Sequence, residues 1–156
     1  LQITSFRVQH DAVDPVGFII EDEGLRFAQA THLGEITDVV LEALKFSNAL
    51  VLESNHDPEM LQTCNYPWEL KNRIASKHGH LSNFEAAKIL NSVDHSDLAH
   101  VVLAHLSENS NTPTLAYETV NMSIKRQLQN LVCASRKGAL PFIELSETKQ
   151  LRLSTL

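Results

Sequence analysis

The chain has 156 residues, of which 43% are hydrophobic, and a formal net charge of −6 at pH 7. This length predicts one domain with a substantial core, and no stretch of the chain marks a linker. The negative charge excludes a generally basic surface for nucleic acid and leaves room only for a local one. The densest basic region is interpreted as a solvated helix face and consists of Lys125, Arg126, Arg136 and Lys137.

Two cysteines, Cys64 and Cys133, are too few for a disulfide framework or a cysteine-based zinc site, and they predict reduced thiols. No stretch approaches the ~20 apolar residues of a membrane span, and no signal peptide is visible. We therefore expect a cytoplasmic protein without a membrane partner. Because the chain begins at Leu1 rather than at a methionine, we also expect a fragment of a longer protein.

The first third of the chain predicts strands and one helix. Two apolar runs around the turn at residues 22–24 indicate a hairpin, and apolar residues spaced i, i+3, i+4 and i+7 indicate a helix that packs on the sheet. The predicted strands are 1–10, 16–21, 25–30 and 49–54, and the predicted helix is 36–46.

The remainder of the chain predicts helices with recognisable start signals. Asp57-Pro58 and Thr112-Pro113 each combine an N-cap with proline at the first helical position, and Ser82 with Glu85 forms a capping box. A further helix should start near Pro67 and end near Gly79. The predicted strands here are 101–105 and, as the last element, 140–144.

Four apolar runs end on a histidine, at His10, His32, His56 and His105. In an open α/β sheet, ligands bind beyond the carboxyl ends of the strands, so we expect imidazoles to converge on one edge. One such histidine alone is more often structural, but several together, with carboxylates and amides nearby, predict a metal site. His80 precedes the capping box, where the positive end of a helix suits a phosphate or carboxylate ligand.

Several segments between residues 6 and 111 carry a resemblance to a known family. The chain resembles the second half of metallo-β-lactamase-fold hydrolases, most closely the YycJ-like or WalJ-like branch, and is more distantly similar to tRNase Z. The matching segments are HDAVDPVGF at 10–18, ATHLG at 30–34, ESNHD at 53–57 with ML at 60–61, YP at 66–67 with LK at 70–71, GHLSN at 79–83 and HLS at 105–107.

The resemblance implies an α/β fold, namely the C-terminal half of an αββα sandwich, with a mixed sheet and helices on one face. It also implies a one- or two-ion site for zinc or manganese that hydrolyses nucleic-acid phosphodiesters, as a DNA exonuclease does. His10, His32 and His105 would be the metal residues, with His10 on one ion and His105 on the other, and His80 would meet the scissile phosphate or protonate the leaving group. The residues expected to support the metals or contact substrate are Asp11, Glu53, Asn55, His56, Ser82, Asn83 and Ser107.

Two departures from the family pattern limit this expectation. The first half of the family, with its His-x-His-x-Asp-His motif, is absent from residues 1–156, which we therefore interpret as a single partial domain. His32 stands where the family has a bridging aspartate, and one imidazole nitrogen faces only one metal ion. We expect the chain alone to be inactive, and its uncovered sheet face to require a complementary half or self-association.

Three functions remain open at this point. The first is the C-terminal half of a metal-dependent nuclease, and the second is a non-catalytic interaction module that keeps the fold without the metals. The third is a hydrolase of a small ester or phosphodiester, since the fold hosts many substrates.

Overall fold

The computed structural model of the chain describes residues 1–145, which contain one six-stranded mixed sheet. The strands lie side by side in chain order: β1 and β3 are antiparallel to β2, and β3 to β6 are parallel to one another. Their bounds are β1 (Gln2–Arg7), β2 (Val16–Asp22), β3 (Leu25–Ala30), β4 (Ala49–Glu53), β5 (His100–Ala104) and β6 (Asn130–Cys133). This is the predicted mixed α/β sheet.

The helices begin at the capping residues that the sequence predicts. Asp57 accepts hydrogen bonds from two backbone N–H groups at the start of its helix, Ser82 and Glu85 complete both halves of the capping box, and Thr112 caps the last helix. The helices are α1 (Asp38–Leu44), α2 (Pro58–Thr63), α3 (Trp68–Ile74), α4 (Asn83–Val93) and α5 (Pro113–Ser123).

The two faces of the sheet differ in burial. On the helix side, Ala28, Leu50 and Val101 are register partners, and all three are buried in a core shared with α1, α4 and α5. The opposite face carries one row across all six strands in which no residue is buried, and which we call the uncovered row. It consists of Ser5, Phe18, Gln29, Val51, Val102 and Val132. The expectation of helices on one face is confirmed.

The strand directions bring the histidine-bearing ends together. Because β2 reverses the chain between β1 and β3, both of these strands end at the same edge, and β4 and β5 run parallel to β3. The loops after β1, β3, β4 and β5 therefore open on one edge, which is where the predicted site would be built.

Three predicted elements differ from the structure, and the first is the strand expected at 1–10, which spans only Gln2–Arg7. The helix expected to end near Gly79 ends at Ile74, because Gly79 lies in a turn that folds back over the helix end rather than capping it. The last strand of the described chain is β6 rather than residues 140–144, a segment that contains Pro141, which has no N–H to donate, and a fully exposed Phe142. The four residues of β6 are too short a run to stand out in the sequence.

Within residues 1–145 no helix has the length and apolar character needed to cross a membrane. The cytoplasmic location stays a prediction. Both cysteines are free thiols and partly buried.

Gly79 provides a test of how tightly the turn before His80 is packed. A Cβ at this position would lie 2.2 Å from the carbonyl oxygens of both Arg73 and Ile74. We expect Gly79→Ala to destabilise the protein by about 1–3 kcal/mol, because backbone at the helix end would have to move. The measurement is the free energy of unfolding in urea. The matched control is Gly138→Ala, where nothing lies within 4 Å of the added carbon; equal stability of the two variants would contradict the packing argument.

Candidate metal centre

Four imidazoles meet at the predicted edge of the sheet and form a contiguous group, here called the histidine cluster (His10, His32, His80 and His105). The ring centroids of His32 and His105 are 4.0 Å apart, those of His10 and His80 are 4.9 Å apart, and those of His80 and His105 are also 4.9 Å apart. The structure thus brings together three of the strand-end histidines and His80, whose metal-binding and catalytic roles stay predictions.

The Glu53 carboxylate, at the end of β4, anchors this group although it is completely buried. Its Oε1 lies 3.0 Å from Nδ1 of His80 and 2.5 Å from Nδ1 of His105. The same carboxylate accepts backbone N–H bonds from three residues, which are His32, Leu33 and Leu81. Glu53 therefore ties the end of β3, the approach to α4 and the end of β5 to one acceptor.

These bonds determine the charge of Glu53. Burial raises the pKa of this carboxyl, but the hydrogen bonds from His105 and His80 outweigh burial and lower the pKa to about 2. Glu53 is therefore ionised at neutral pH. A buried carboxylate is stable only when donors surround it, and here five N–H groups do so.

The hydrogen bonds also fix which ring nitrogens remain available. An ionised carboxylate only accepts, so His80 and His105 carry their protons on Nδ1. Nδ1 of His10 lies 2.9 Å from the carbonyl oxygen of Gly79, and the same reasoning protonates that nitrogen. Glu53 thus leaves Nε2 of His80 and of His105 for another partner, the arrangement in which a second hydrogen-bonded group orients a metal-binding histidine, whereas Nε2 of His10 lies 3.3 Å from Oδ1 of Asp11.

His32 and His105 share an unusual backbone conformation. Their φ angles are 58° and 57°, in the left-handed region, which non-glycine residues seldom enter and in which histidine is enriched. Such conformations occur where the surrounding structure holds them, commonly at functional sites. Although His32 is exposed at its outer edge, contact with the other rings removes water from the rest of the side chain, and this desolvation lowers its pKa. A neutral His32 is the form that binds metal.

Two further site predictions lie beside the cluster. Asn55 donates from Nδ2 to the carbonyl oxygen of His105 at 2.7 Å, and its own carbonyl oxygen accepts the backbone N–H of Ser107. Asp11 hydrogen-bonds Arg73, whose guanidinium holds the pKa of that carboxyl below its usual range. Asn55, Ser107 and Asp11 all line a cleft of about 340 Å³ together with three of the clustered histidines.

Three other predicted site residues do not line this cleft. His56 is buried near α2, burial lowers its pKa, and its backbone carbonyl oxygen accepts from Asn83. Ser82 is the N-cap of α4. Asn83 is buried and exchanges amide hydrogen bonds with Asn111, which in turn donates to the carbonyl oxygen of Ser54. These residues brace the loops that carry the cluster.

The structure also reveals cleft residues that sequence reasoning missed. Arg73 from α3 and Tyr66 before it lie on one side, and Asn109 donates to the Tyr66 hydroxyl at 2.8 Å. Arg136 lines the cleft from the loop after β6, and Lys125, Arg126 and Lys137 also lie outside the helices, so the interpretation of this basic region as a helix face is wrong. Arg73 lies two residues after the matched LK segment at 70–71. In the sequence it looks like an ordinary solvent-exposed arginine on a helix, so no local signal marked it as a cleft residue.

Comparison with known proteins identifies the relatives of the chain. It is 36% identical over 127 residues to exodeoxyribonuclease YycJ of Bacillus anthracis, covering 81% of this chain and 48% of that protein. It is 33% identical over 120 residues to exodeoxyribonuclease WalJ of Streptococcus pneumoniae, covering 77% of this chain and 45% of that protein. The chain thus spans about half the length of the curated relatives it matches. No protein-family model matches the chain.

A solved structure decides the fold. YhfI from Bacillus subtilis, a metallo-β-lactamase fold protein, superposes with a TM-score of 0.61 at 15% identity, covering 85% of this chain and 46% of that chain. The chain has the metallo-β-lactamase fold and is a relative of YycJ and WalJ. The short form of human tRNase Z aligns with a TM-score of 0.48 at 18% identity, covering 68% of this chain and 36% of that chain. The expected membership in the YycJ/WalJ branch of this fold is confirmed.

Glu53 can be tested apart from any activity. We expect Glu53→Gln to destabilise the protein by about 3 kcal/mol, because an amide nitrogen must then face N–H donors that a carboxylate accepted. The measurement is the free energy of unfolding by urea. The control is Glu42→Gln, which breaks an exposed ion pair with Lys45 and should cost less than about 1 kcal/mol. Similar losses in the two variants would show that Glu53 does not anchor the cluster.

Proposed function

We propose that this chain is one half of a metal-dependent phosphodiester hydrolase that acts on nucleic acid. The observation that carries the proposal is the histidine cluster, in which imidazoles from separate loops meet beside a cleft of about 340 Å³. The names of the curated relatives, both exodeoxyribonucleases, agree with a DNA phosphodiester as the substrate. Since the chain spans about half of their length, the proposal concerns the site that two halves would assemble.

The donor set suits a divalent metal ion. His10, His32 and His80 each place one ligand nitrogen within 4.8 Å of the others, and neutral imidazole is a common ligand of zinc. Zinc is favoured over manganese because manganese prefers carboxylate and water oxygens. A bound ion would polarise a phosphoryl oxygen and lower the pKa of a nearby water molecule.

Glu53 belongs to a second group of possible ligands with His80 and His105. Five N–H donors already occupy this carboxylate, so we assign Glu53 to orienting the rings rather than to binding metal. We assign His10 and His32 to one ion and Nε2 of His105 to the other. The remaining ligands would come from the complementary half.

His80 belongs to both groups of possible ligands, and we assign it to the substrate. Its side chain is 19% exposed, lines the cleft and lies two residues before the N-cap of α4. The positive end of that helix favours an approaching phosphate. Glu53 holds Nδ1, so Nε2 is the nitrogen that would face the scissile phosphate, and a protonated ring would donate from Nε2 to the phosphate or to the leaving oxygen.

The uncovered row accounts for the need for a second half. Phe18 is 41% exposed on this face, and Ile3 beside it is 59% exposed. Val51, Val102 and Val132 continue the apolar surface across the parallel strands. A sheet of this fold packs such a face on another sheet, so we propose a complementary N-terminal half as its cover, or self-association where that half is absent.

A non-catalytic interaction module is the second candidate, and His32 favours it. A carboxylate at this position could join two ions through its two oxygens, whereas the imidazole offers one nitrogen to one ion. If the two-ion arrangement is needed for cleavage, His32 leaves an assembled site that binds metal but does not hydrolyse.

Metal uptake tests the assignment of the ligands. We expect the purified chain to bind about one zinc ion, and His10→Ala and His32→Ala each to weaken binding at least tenfold because each removes one of few ligands. Isothermal titration with zinc gives the affinity and the stoichiometry. The control is His78→Ala, an exposed residue outside the cluster. Unchanged affinity in the cluster variants would reject these ligands.

Complementation tests the hydrolase against the interaction module. The chain is mixed with the N-terminal half of the Bacillus anthracis relative, and cleavage of bis(4-nitrophenyl) phosphate and of single-stranded DNA is followed. We expect the His32→Asp chain to give the faster cleavage because a carboxylate can hold both ions. Assembly of a stable complex without cleavage, in both the parent chain and His32→Asp, would favour the interaction module.

A further inference from the structure

Two arginines that the proposed reaction does not use border the histidine cluster. Arg73, near the end of α3, and Arg136, after β6, both line the cleft, and each side chain is 65% exposed. The three histidines that line the cleft are more recessed, with the side chains of His10, His80 and His105 13%, 19% and 33% exposed. The arginines therefore form the rim of the cleft, and the imidazoles form its floor.

Each arginine is held in place by an acidic neighbour. Arg73 contacts Oδ2 of Asp11 through Nε and Nη2, and Arg136 contacts Oε1 of Glu108 through Nη1. Arg136 also donates from Nη2 to the carbonyl oxygen of Leu106 at 3.2 Å. A guanidinium has five N–H donors, so both side chains keep donors for a ligand while their positions are restricted.

The cleft continues into a second groove of about 740 Å³. The two share four lining residues, which are His105, Ser107, Glu108 and Arg136. The second groove extends past the start of α5 to Lys137. Together they make one trough, which passes from Arg73 over the histidine cluster to Arg136 and Lys137. A site for a small ester would enclose its ligand, whereas this trough extends beyond the cluster.

We propose that the trough binds a single nucleic-acid strand, with Arg73 and Arg136 each binding a phosphate that flanks the one above the histidine cluster. This inference rests on the proposed function, because the cluster must bind the central phosphodiester. A flexible single strand can lower one phosphate to the recessed floor while its neighbours stay at the rim. A duplex holds its phosphates on a stiff cylinder and cannot do so without unstacking. The backbone phosphates are common to DNA and RNA.

The test measures binding to the full chain without metal. Fluorescence anisotropy follows labelled oligothymidylate and oligouridylate of about ten nucleotides over a range of salt concentrations. We expect Arg73→Gln and Arg136→Gln each to weaken binding about threefold to tenfold at low salt. Each should also reduce the slope of log affinity against log salt by about 0.7, because one phosphate contact is lost. The arm with the higher affinity identifies the strand.

Lys88→Gln is the matched control, since it removes the same charge from an exposed position on α4 outside the trough. Unfolding midpoints show that all three variants remain folded. Equal weakening by Lys88→Gln, unchanged salt slopes in both arginine variants, tighter binding of a duplex or no binding at all would overturn the inference. Zinc uptake and complemented cleavage of bis(4-nitrophenyl) phosphate would still stand in those cases, so the two proposals can fail separately.

Discussion

The buried carboxylate of Glu53 is the interaction on which the rest of the site depends. It lies at the end of β4, between the neighbouring parallel strands β3 and β5, and it accepts donors from both sides and from the turn before α4. Without that acceptor, three backbone N–H groups would be left buried and unpaired. The hydrogen bonds that position the imidazoles are therefore also the hydrogen bonds that stabilise the fold at this edge of the sheet.

The sheet and the site also share a constraint on assembly. The helices cover one face of the sheet, and the uncovered row runs across the other, beneath the edge where the imidazoles meet. In the proposed assembly, the complementary half that buries this row would also bring its own loops to that edge. Covering apolar surface and completing the ligand set would then be one event, and the free energy of the first would stabilise the second.

Much of this architecture was predictable from short-range signals. The hairpin, the capping residues and the four runs that end on histidine depend on neighbours in sequence, and the structure has the corresponding elements. Strand direction predicted the convergence of His10, His32 and His105, but it was wrong for His56, which is buried outside the cluster, and it did not account for His80, which joins from the turn before α4. The role of Gly79 as a helix end was predicted wrongly. A glycine is needed there because the backbone packs closely against the end of α3, and the neighbouring sequence gives no sign of that contact.

Other features depend on distant contacts and could not be predicted. The five donors of Glu53 come from three separate loops, so the sequence around it permitted a turn-capping role equally well. Arg73 and Arg136 lie 63 positions apart in the chain and share a cleft only in the folded protein. The short β6 is a strand because β5 offers it a parallel partner.

The backbone hydrogen bond from His32 to Glu53 bears on which substitutions the fold tolerates at residue 32 during evolution. His32 holds the carboxylate through its backbone N–H and not through its side chain. A replacement that tolerates the left-handed backbone, such as aspartate or asparagine, would leave that donor in place. The side chain at position 32 can thus change while the fold is kept, so the two candidate functions, a hydrolase and a non-catalytic binding module, can differ at this residue without differing in architecture.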